Sequence, residues 1–382
     1  MIYLDNAATT FPKPKEVIYA VQKALAVYGA NPGRSGHNMS LNSAMCVYSA
    51  RQAVNSFFNG YGIEYTAFTQ NCTHSLNIAI KGTVRRGDHV VISALEHNSV
   101  LRPIHTLAQR GELSYSVFDV YEDTDKTVAA FKAALEPGTR LAVVTAVSNV
   151  FGNILPLKEL ALAAHENGTL FFVDAAQAAG VIPLDMKNTG IDCLCAPGHK
   201  GLLGPMGTGV LLHNGCITGT LTEGGTGTAS FDYLQPDVFP ERLESGTLNI
   251  PGINGLAAGI RSVESCGVDS IFKEESELCE YLFNELKNIS GVTLYREKYN
   301  RLKYAPIVSF NIKNMHSETV TALLNEGGIA VRGGYHCAPL AHRLYKTESS
   351  GAVRVSPSHF NSKKDINILL NLVNQIALSE KM

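Results

Sequence analysis

Clusters of basic residues, long apolar runs and a dense cysteine framework are all missing from this 382-residue sequence. Its 32 lysines and arginines are scattered among 34 acidic residues, for a formal charge of −2, so no face for nucleic acid is expected. Apolar runs are short and end in glycine, asparagine or aspartate, which argues against a membrane span. The opening MIYLDNAATTFPKPKEV has neither the basic n-region nor the apolar h-region of a secretory signal, so the expected location is the cytoplasm. Eight cysteines in a chain of this length lack disulfide spacing and read mostly as buried thiols. Cys193 and Cys195 alternate on one face of an apolar strand, and no histidine pair follows at zinc-finger spacing, so no metal site is expected.

What is present is an alternation. Residues 65–70, 89–98, 113–120, 140–150, 169–177, 191–197 and 209–213 are rich in strand formers, and several of these stretches are apolar throughout, as strands covered on both faces are. Between them, 73–84, 99–111, 127–135 and 157–168 carry helical patterns, most ending near a glycine. The pattern predicts an α/β fold with a large, doubly wound, mostly parallel sheet domain over 14–255. After the turn-rich SGTLNIPGING the rhythm changes to helices at 256–268 and 270–290, a strand at 305–312, a helix at 317–327 and a strand at 329–334. Residues 256–382, together with 1–13, are read as a smaller α+β domain.

Ligands of an open parallel sheet sit at the carboxyl ends of its strands, so the residues just after each strand hold the chemistry. FTQNCTHS opens a helix, where free N–H groups and the helix dipole favour a phosphate. SALEHNS presents His97, AVSNVFG presents Asn149, and FFVDAAQAAG presents Asp174 and Gln177. APGHKGLLGPMGTGVLL sets His199 and Lys200 among five glycines and two prolines, with Lys200 its one formal charge. An amine and a carboxylate at one sheet edge are what pyridoxal phosphate needs: the lysine anchors it covalently and the aspartate keeps its ring nitrogen protonated. Lys200 and Asp174 fill these roles, with His97 over the ring face. Thr73, Thr247 and the helix start from Asn71 to His74 are read as holding the phosphate. Gly198 and Gly201 are expected to let the cofactor come close.

YLDNAATT, EHNSV, SNVFG, VDAAQ, GHKGLLGPMGTG, RLESGTLN and RGGYHCAP follow in order along essentially the whole chain. Together they resemble the class V aminotransferase family, specifically its cysteine desulfurases. The resemblance implies a pyridoxal 5'-phosphate-dependent transferase of fold type I that converts L-cysteine to L-alanine. Sulfur would pass to Cys337 as a persulfide and on to an acceptor protein, as in iron–sulfur cluster assembly. His97 would stack on the pyridine, Asn149 and Gln177 would flank the phenolic oxygen, Asp174 would meet the ring nitrogen and Lys200 would carry the cofactor. Thr73 and His199 would contact the phosphate, and Thr247 would reach it from the other subunit of a homodimer, so that the active sites are shared. Arg354 would grip the substrate α-carboxylate, with Asn149 and His37 as further substrate contacts.

Cys337 must attack as a thiolate, which Arg332, His336, His342 and Arg343 would favour if they lie near it. The sequence also departs from the family. Pro197 replaces a serine or threonine that bonds the phosphate, and proline offers neither hydroxyl nor N–H. His74 stands where an acidic residue is common, and Asn71-Cys72 replaces a Gly-Thr type pair. The short stretch from Cys337 to Arg354 resembles desulfurases with a compact catalytic loop, which often depend on a partner to accept the sulfur. The alternatives on the same fold are a selenocysteine lyase, a cysteine-sulfinate desulfinase or another class V lyase or aminotransferase. Further alternatives are a non-catalytic scaffold of this fold that binds partners, and a nucleotide-binding protein using GGTGTAS (224–230), although the usual glycine spacing after a first strand is absent.

Overall fold

In the computed structural model, which describes residues 1–32 and 36–379, the strands run β1 (Ile2–Tyr3), β2 (Thr66–Thr69), β3 (Asp88–Ser93), β4 (Leu113–Phe118), β5 (Thr139–Thr145), β6 (Leu170–Asp174), β7 (Cys193–Pro197), β8 (Gly209–His213), β9 (Val292–Leu294), β10 (Val308–Ile312), β11 (Ile329–Ala330) and β12 (Val353–Val355). Seven of them form one sheet in the order β2-β8-β7-β6-β5-β3-β4. Only β8 runs against its neighbours, and the pairs from β7 to β4 are parallel. The central strands are apolar through their middles because both faces are covered: Val91, Val144, Phe171 and Leu194 face one core layer, and Ile92, Leu141, Phe172 and Cys193 face the other. Asp174, the last residue of β6, lies in register with Thr145 on one side and Cys195 on the other. The carboxyl edge of the sheet is thereby fixed by the same apolar residues that build its middle.

The remaining strands are short. β12-β10-β9 form an antiparallel sheet and β1 pairs with β11 in parallel. They pack with the helices Val268–Lys287, Ser317–Glu326 and Lys363–Ser379 around a second core that includes Phe283, Phe310, Val320, Val355 and Leu369. The expected boundary at 255/256 falls inside the helix Ile250–Cys266, whose Ile253, Leu256 and Ile260 belong to the core of the large sheet. Among the described residues no helix is long and apolar enough to cross a membrane.

The first thirteen residues form a strap between the two units. Asn6 donates through its backbone N–H and its side-chain amide to the carbonyl of Ser356, at 3.1 and 3.0 Å. Four residues later the strap turns to the large domain, where Thr10 bonds the carbonyls of His199 (3.1 Å, from its N–H) and Lys200 (2.8 Å, from its hydroxyl). Lys13 Nζ adds a third contact to this loop after β7, donating to His199 O at 2.7 Å.

Candidate active site

Lys200 follows β7, and its side chain enters a region shared with Asp174, Cys72, Arg354 and Arg332. Burial, reinforced by the Arg354 charge and opposed by Asp174, pushes its amine down to about 8. The neighbouring glycines serve a different purpose from the one expected. A Cβ on Gly198 would lie 2.1 Å from Thr208 Oγ1, and one on Gly201 would lie 2.4 Å from the carbonyl oxygen of Ala179. They let the lysine loop press against the protein rather than opening space for a ligand.

Asp174 is 1% exposed, and its Oδ1 accepts the N–H of Ala176 at 2.9 Å. His97 caps the helix Asn98–Gln109: its Nδ1 accepts the N–H of Ser99 at 3.1 Å, and burial lowers the imidazole below its ordinary value. A neutral ring with Nδ1 as acceptor suits a flat stacking partner. Asn149, in the loop after β5, donates from Nδ2 to the carbonyl of His336 at 2.7 Å, while its Oδ1 is buried without a partner. His199 is likewise left with a buried, unpartnered Nδ1, and burial pushes its ring down to about 4. Gln177 donates to Ala7 O at 2.9 Å, so its amide nitrogen is committed to the N-terminal strap.

Arg354, on β12, is 1% exposed. It donates to Asn149 O at 2.8 Å and to Asp5 Oδ1 at 2.7 Å, and its Nε is buried with no partner. Cys337 is exposed and follows β11 in a tight turn, where His336 (φ 48°) and Cys337 (φ 57°) both adopt the left-handed conformation that non-glycine residues disfavour. The turn is held by the large domain, since the N–H of Asn98 donates to Cys337 O at 2.7 Å. The expected cationic help for its thiolate is smaller than the sequence suggested. His336 is buried, bonded through Nε2 to Ala352 O at 2.9 Å, and held well below its ordinary value by burial and the Arg354 charge. Burial also lowers His342, and Arg343 is paired with Glu348 at 3.5 Å.

Thr73 lies exposed in the first turn of the helix Cys72–Lys81, which Asn71 caps by accepting the N–H of His74 at 2.9 Å. His74 and Thr247 line one groove of about 670 Å³ with Asn71, so in the single chain Thr247 faces its own helix start. His37 is not brought to this region by any described contact: it is exposed and caps the helix Asn38–Phe57 by accepting the N–H of Ser40. GGTGTAS is an exposed turn with no helix before Ile250, which removes the nucleotide-binding reading. Among the described residues no cluster of three or more His, Cys, Asp or Glu side chains is placed to hold a metal ion.

Sequence reasoning passed over two acidic residues here. Asp5 lies in YLDNAATT, but nothing in a sequence pairs it with an arginine 349 residues away. Glu96, beside His97, is 0% exposed, and its Oε1 accepts from Ser93 Oγ at 2.5 Å and from the N–H of Thr145 at 2.8 Å, while Oε2 has no partner. Burial raises this carboxyl to about 8. In the unfolded chain a glutamate loses its proton near pH ~4.3, so between that value and about pH 8 the folded state holds an extra proton and its stability falls as pH rises. Glu96→Gln keeps the uncharged form. Its melting-temperature advantage over the parent is expected to be small at about pH 4.5 and to widen by several degrees at about pH 9. Parallel melting curves at both pH values would show that Glu96 does not carry this proton.

The residues present fit pyridoxal phosphate. A depressed amine, a buried carboxylate, a neutral imidazole and a capped helix start supply the group's known needs, and the orphaned Asn149 Oδ1, His199 Nδ1 and Arg354 Nε are polar atoms awaiting partners.

Residues 2–369 match the family model for class-V aminotransferases. A probable cysteine desulfurase of Methanothermobacter thermautotrophicus is 36% identical over 98% of this chain and 94% of its own length. The apo structure of a cysteine desulfurase from Thermococcus onnurineus superposes with a TM-score of 0.91 at 32% identity, over 99% of this chain and 95% of that one. C-DES, solved with glycine covalently linked to its PLP cofactor, gives a TM-score of 0.84 at 21% identity over 97% and 96% of the two chains, a likeness of fold.

Proposed function

The chain belongs to the class-V aminotransferase family and is a cysteine desulfurase, and on that premise we propose that it converts L-cysteine to L-alanine with pyridoxal phosphate anchored on Lys200 and the sulfur received by Cys337 as a persulfide. The observation that carries the reading is how the two units meet. Arg354 bonds the backbone of Asn149, and Asn98, next to His97, bonds the backbone of Cys337. The carboxylate grip and the thiol are thereby tied to the loops that present the cofactor residues.

When bound, pyridoxal phosphate supplies an aromatic ring that takes up the charge left on a substrate carbon after its α-proton is removed. His97, Asp174 and Lys200 would hold its ring, and Thr73, His74, His199 and the helix start at Asn71 its phosphate, with Thr247 contributed by a second copy. Lys200 Nζ, depressed to about 8, is matched to taking and returning the α-proton near neutral pH. Arg354 orients the substrate carboxylate through its free Nε, while Asp5 fixes the far end of the guanidinium. Cys337 Sγ forms an S–S bond to the substrate sulfur as the C–S bond breaks. The electron pair and a proton go to the β-carbon, which leaves as the methyl of alanine.

Arg354→Ala is expected to raise KM for L-cysteine at least about tenfold, the worth of one charge-assisted bond, with a smaller change in kcat. An unchanged KM would remove Arg354 from the substrate site. The reaction itself is tested by incubating holoenzyme with L-cysteine in the absence of any added reductant. One alanine per trapped Cys337 persulfide, and repeated turnover once a reductant is added, support the desulfurase. Faster alanine release from selenocysteine or cysteine sulfinate, with no persulfide, favours the corresponding lyase or desulfinase.

A homodimer is supported by the apolar side chains exposed on the two helices Lys15–Val27 and Asn38–Phe57, both packed on Ile250–Cys266, among them Ile18, Leu25, Met39, Leu41 and Met45. A cytoplasmic setting is supported by cysteines that are all free. The exposed Cys337, on a short turn, suits a sulfur-acceptor protein that docks against it, with iron–sulfur cluster assembly as the destination.

A further inference from the structure

We propose that Cys72 is a positioning residue for Asp174: its thiol donates to Oδ1 and turns the second carboxylate oxygen, Oδ2, toward the cofactor's ring nitrogen. The inference rests on the role proposed above for Asp174.

Oδ1 of Asp174 receives two donors, the N–H of Ala176 at 2.9 Å and the thiol of Cys72 at 3.5 Å. An oxygen with both lone-pair directions taken has little left for a third donor, which leaves Oδ2. Without the thiol, one N–H from the adjoining turn would hold a carboxylate that rotates about its own Cβ–Cγ bond. Two donors from different elements, the turn after β6 and the first residue of the helix Cys72–Lys81, fix its plane.

The geometry that brings Cys72 there is built into the fold. Asn71 caps the helix, and Gly209 on β8 lets the cap approach so closely that a Cβ there would lie 2.6 Å from the carbonyl carbon of Asn71. Cys72 is 8% exposed, and burial beside the Asp174 charge holds its thiol well above the ordinary range, so it carries the proton it donates. Cys195, opposite Asp174 across the strand pair, is engaged with Cys193 and does not compete. In the sequence Cys72 looked like a departure from the usual small residues at this place. In the structure it is a donor.

The test compares Cys72→Ala with Cys72→Ser as full-length holoenzymes, reading the dissociation constant of pyridoxal phosphate and the position of its visible band. Alanine is expected to weaken cofactor binding about three- to tenfold and to shift the band, whereas serine, whose hydroxyl still donates, stays within about twofold of the parent. A packing role gives the reverse order, because a hydroxyl buried without purpose costs more than a methyl group. Equal effects, or serine worse than alanine, overturn the proposal. A second measurement does not involve the cofactor: urea unfolding of the full chain without it, in a double-mutant cycle of Cys72→Ala with Asp174→Ala. Coupling is expected, and simple additivity overturns the hydrogen bond even where the cofactor reading stands. A parent protein that shows no visible band with pyridoxal phosphate overturns both.

Discussion

Alanine at position 200 leaves a protein that turns over L-cysteine at least about 10³-fold more slowly than its parent. Two functions are lost together, the covalent anchor of the cofactor and the base that moves the α-proton. Asp174, His97 and the helix start at Asn71 remain, so the variant should still take up cofactor without covalent attachment and lack the visible band of the lysine-linked form. The depressed amine gives an independent check on the parent. In cofactor-free protein, labelling of Lys200 by an amine-directed reagent should rise with a midpoint at about 8, in company with the half-buried Lys13. Retained turnover in Lys200→Ala would sink the cofactor assignment.

Cys337→Ser separates cofactor chemistry from sulfur transfer. Serine is close in size and accepts the same turn, but near neutral pH its hydroxyl is a far poorer nucleophile than a thiol. Cofactor binding and the spectral response to L-cysteine should survive, while persulfide disappears and alanine release falls by roughly 10²-fold or more. Selenocysteine is expected to suffer less, because selenium leaves carbon more readily. Alanine released from L-cysteine at the parental rate, with no persulfide trapped on the parent either, would replace the sulfur-transfer step with a simpler lyase reaction.

The places of Lys200, Asp174, His97 and Asn149 at the sheet edge were legible because each ends or closely follows an apolar strand, and that position is itself a statement about the edge. Their strands were readable for the same reason: β8 at 209–213 has the bounds that its run of apolar residues suggested. The helix Asn38–Phe57 was not, because its buried face mixes Ser40, Ser43 and Arg51 with Val47, Ala50 and Val54 rather than forming a continuous apolar stripe, with Arg51 held by Glu244 at 2.8 Å. β9 and β12, at three residues each, are too short to show an alternation. Charge state was least legible. His336 and His342 read as cations beside Cys337, and Glu96 drew no reading at all, yet burial makes the imidazoles neutral and keeps the carboxyl protonated up to about pH 8. Burial depends on residues far away in the chain, so local sequence does not announce it.

The N-terminal strap has a consequence for how the enzyme is made. Asp5, Asn6 and Thr10 leave the ribosome well before their partners Lys200, Arg354, Ser356 and Asn361, the farthest of them separated by 355 residues. Contacts of that separation form only after the intervening chain exists. A nascent chain can therefore complete its seven-stranded sheet while Asp5 waits without its arginine, and docking of the strap becomes the last step. Synthesis order makes the carboxylate grip a mark of a chain that has passed Arg354, which one ending before that residue does not bear.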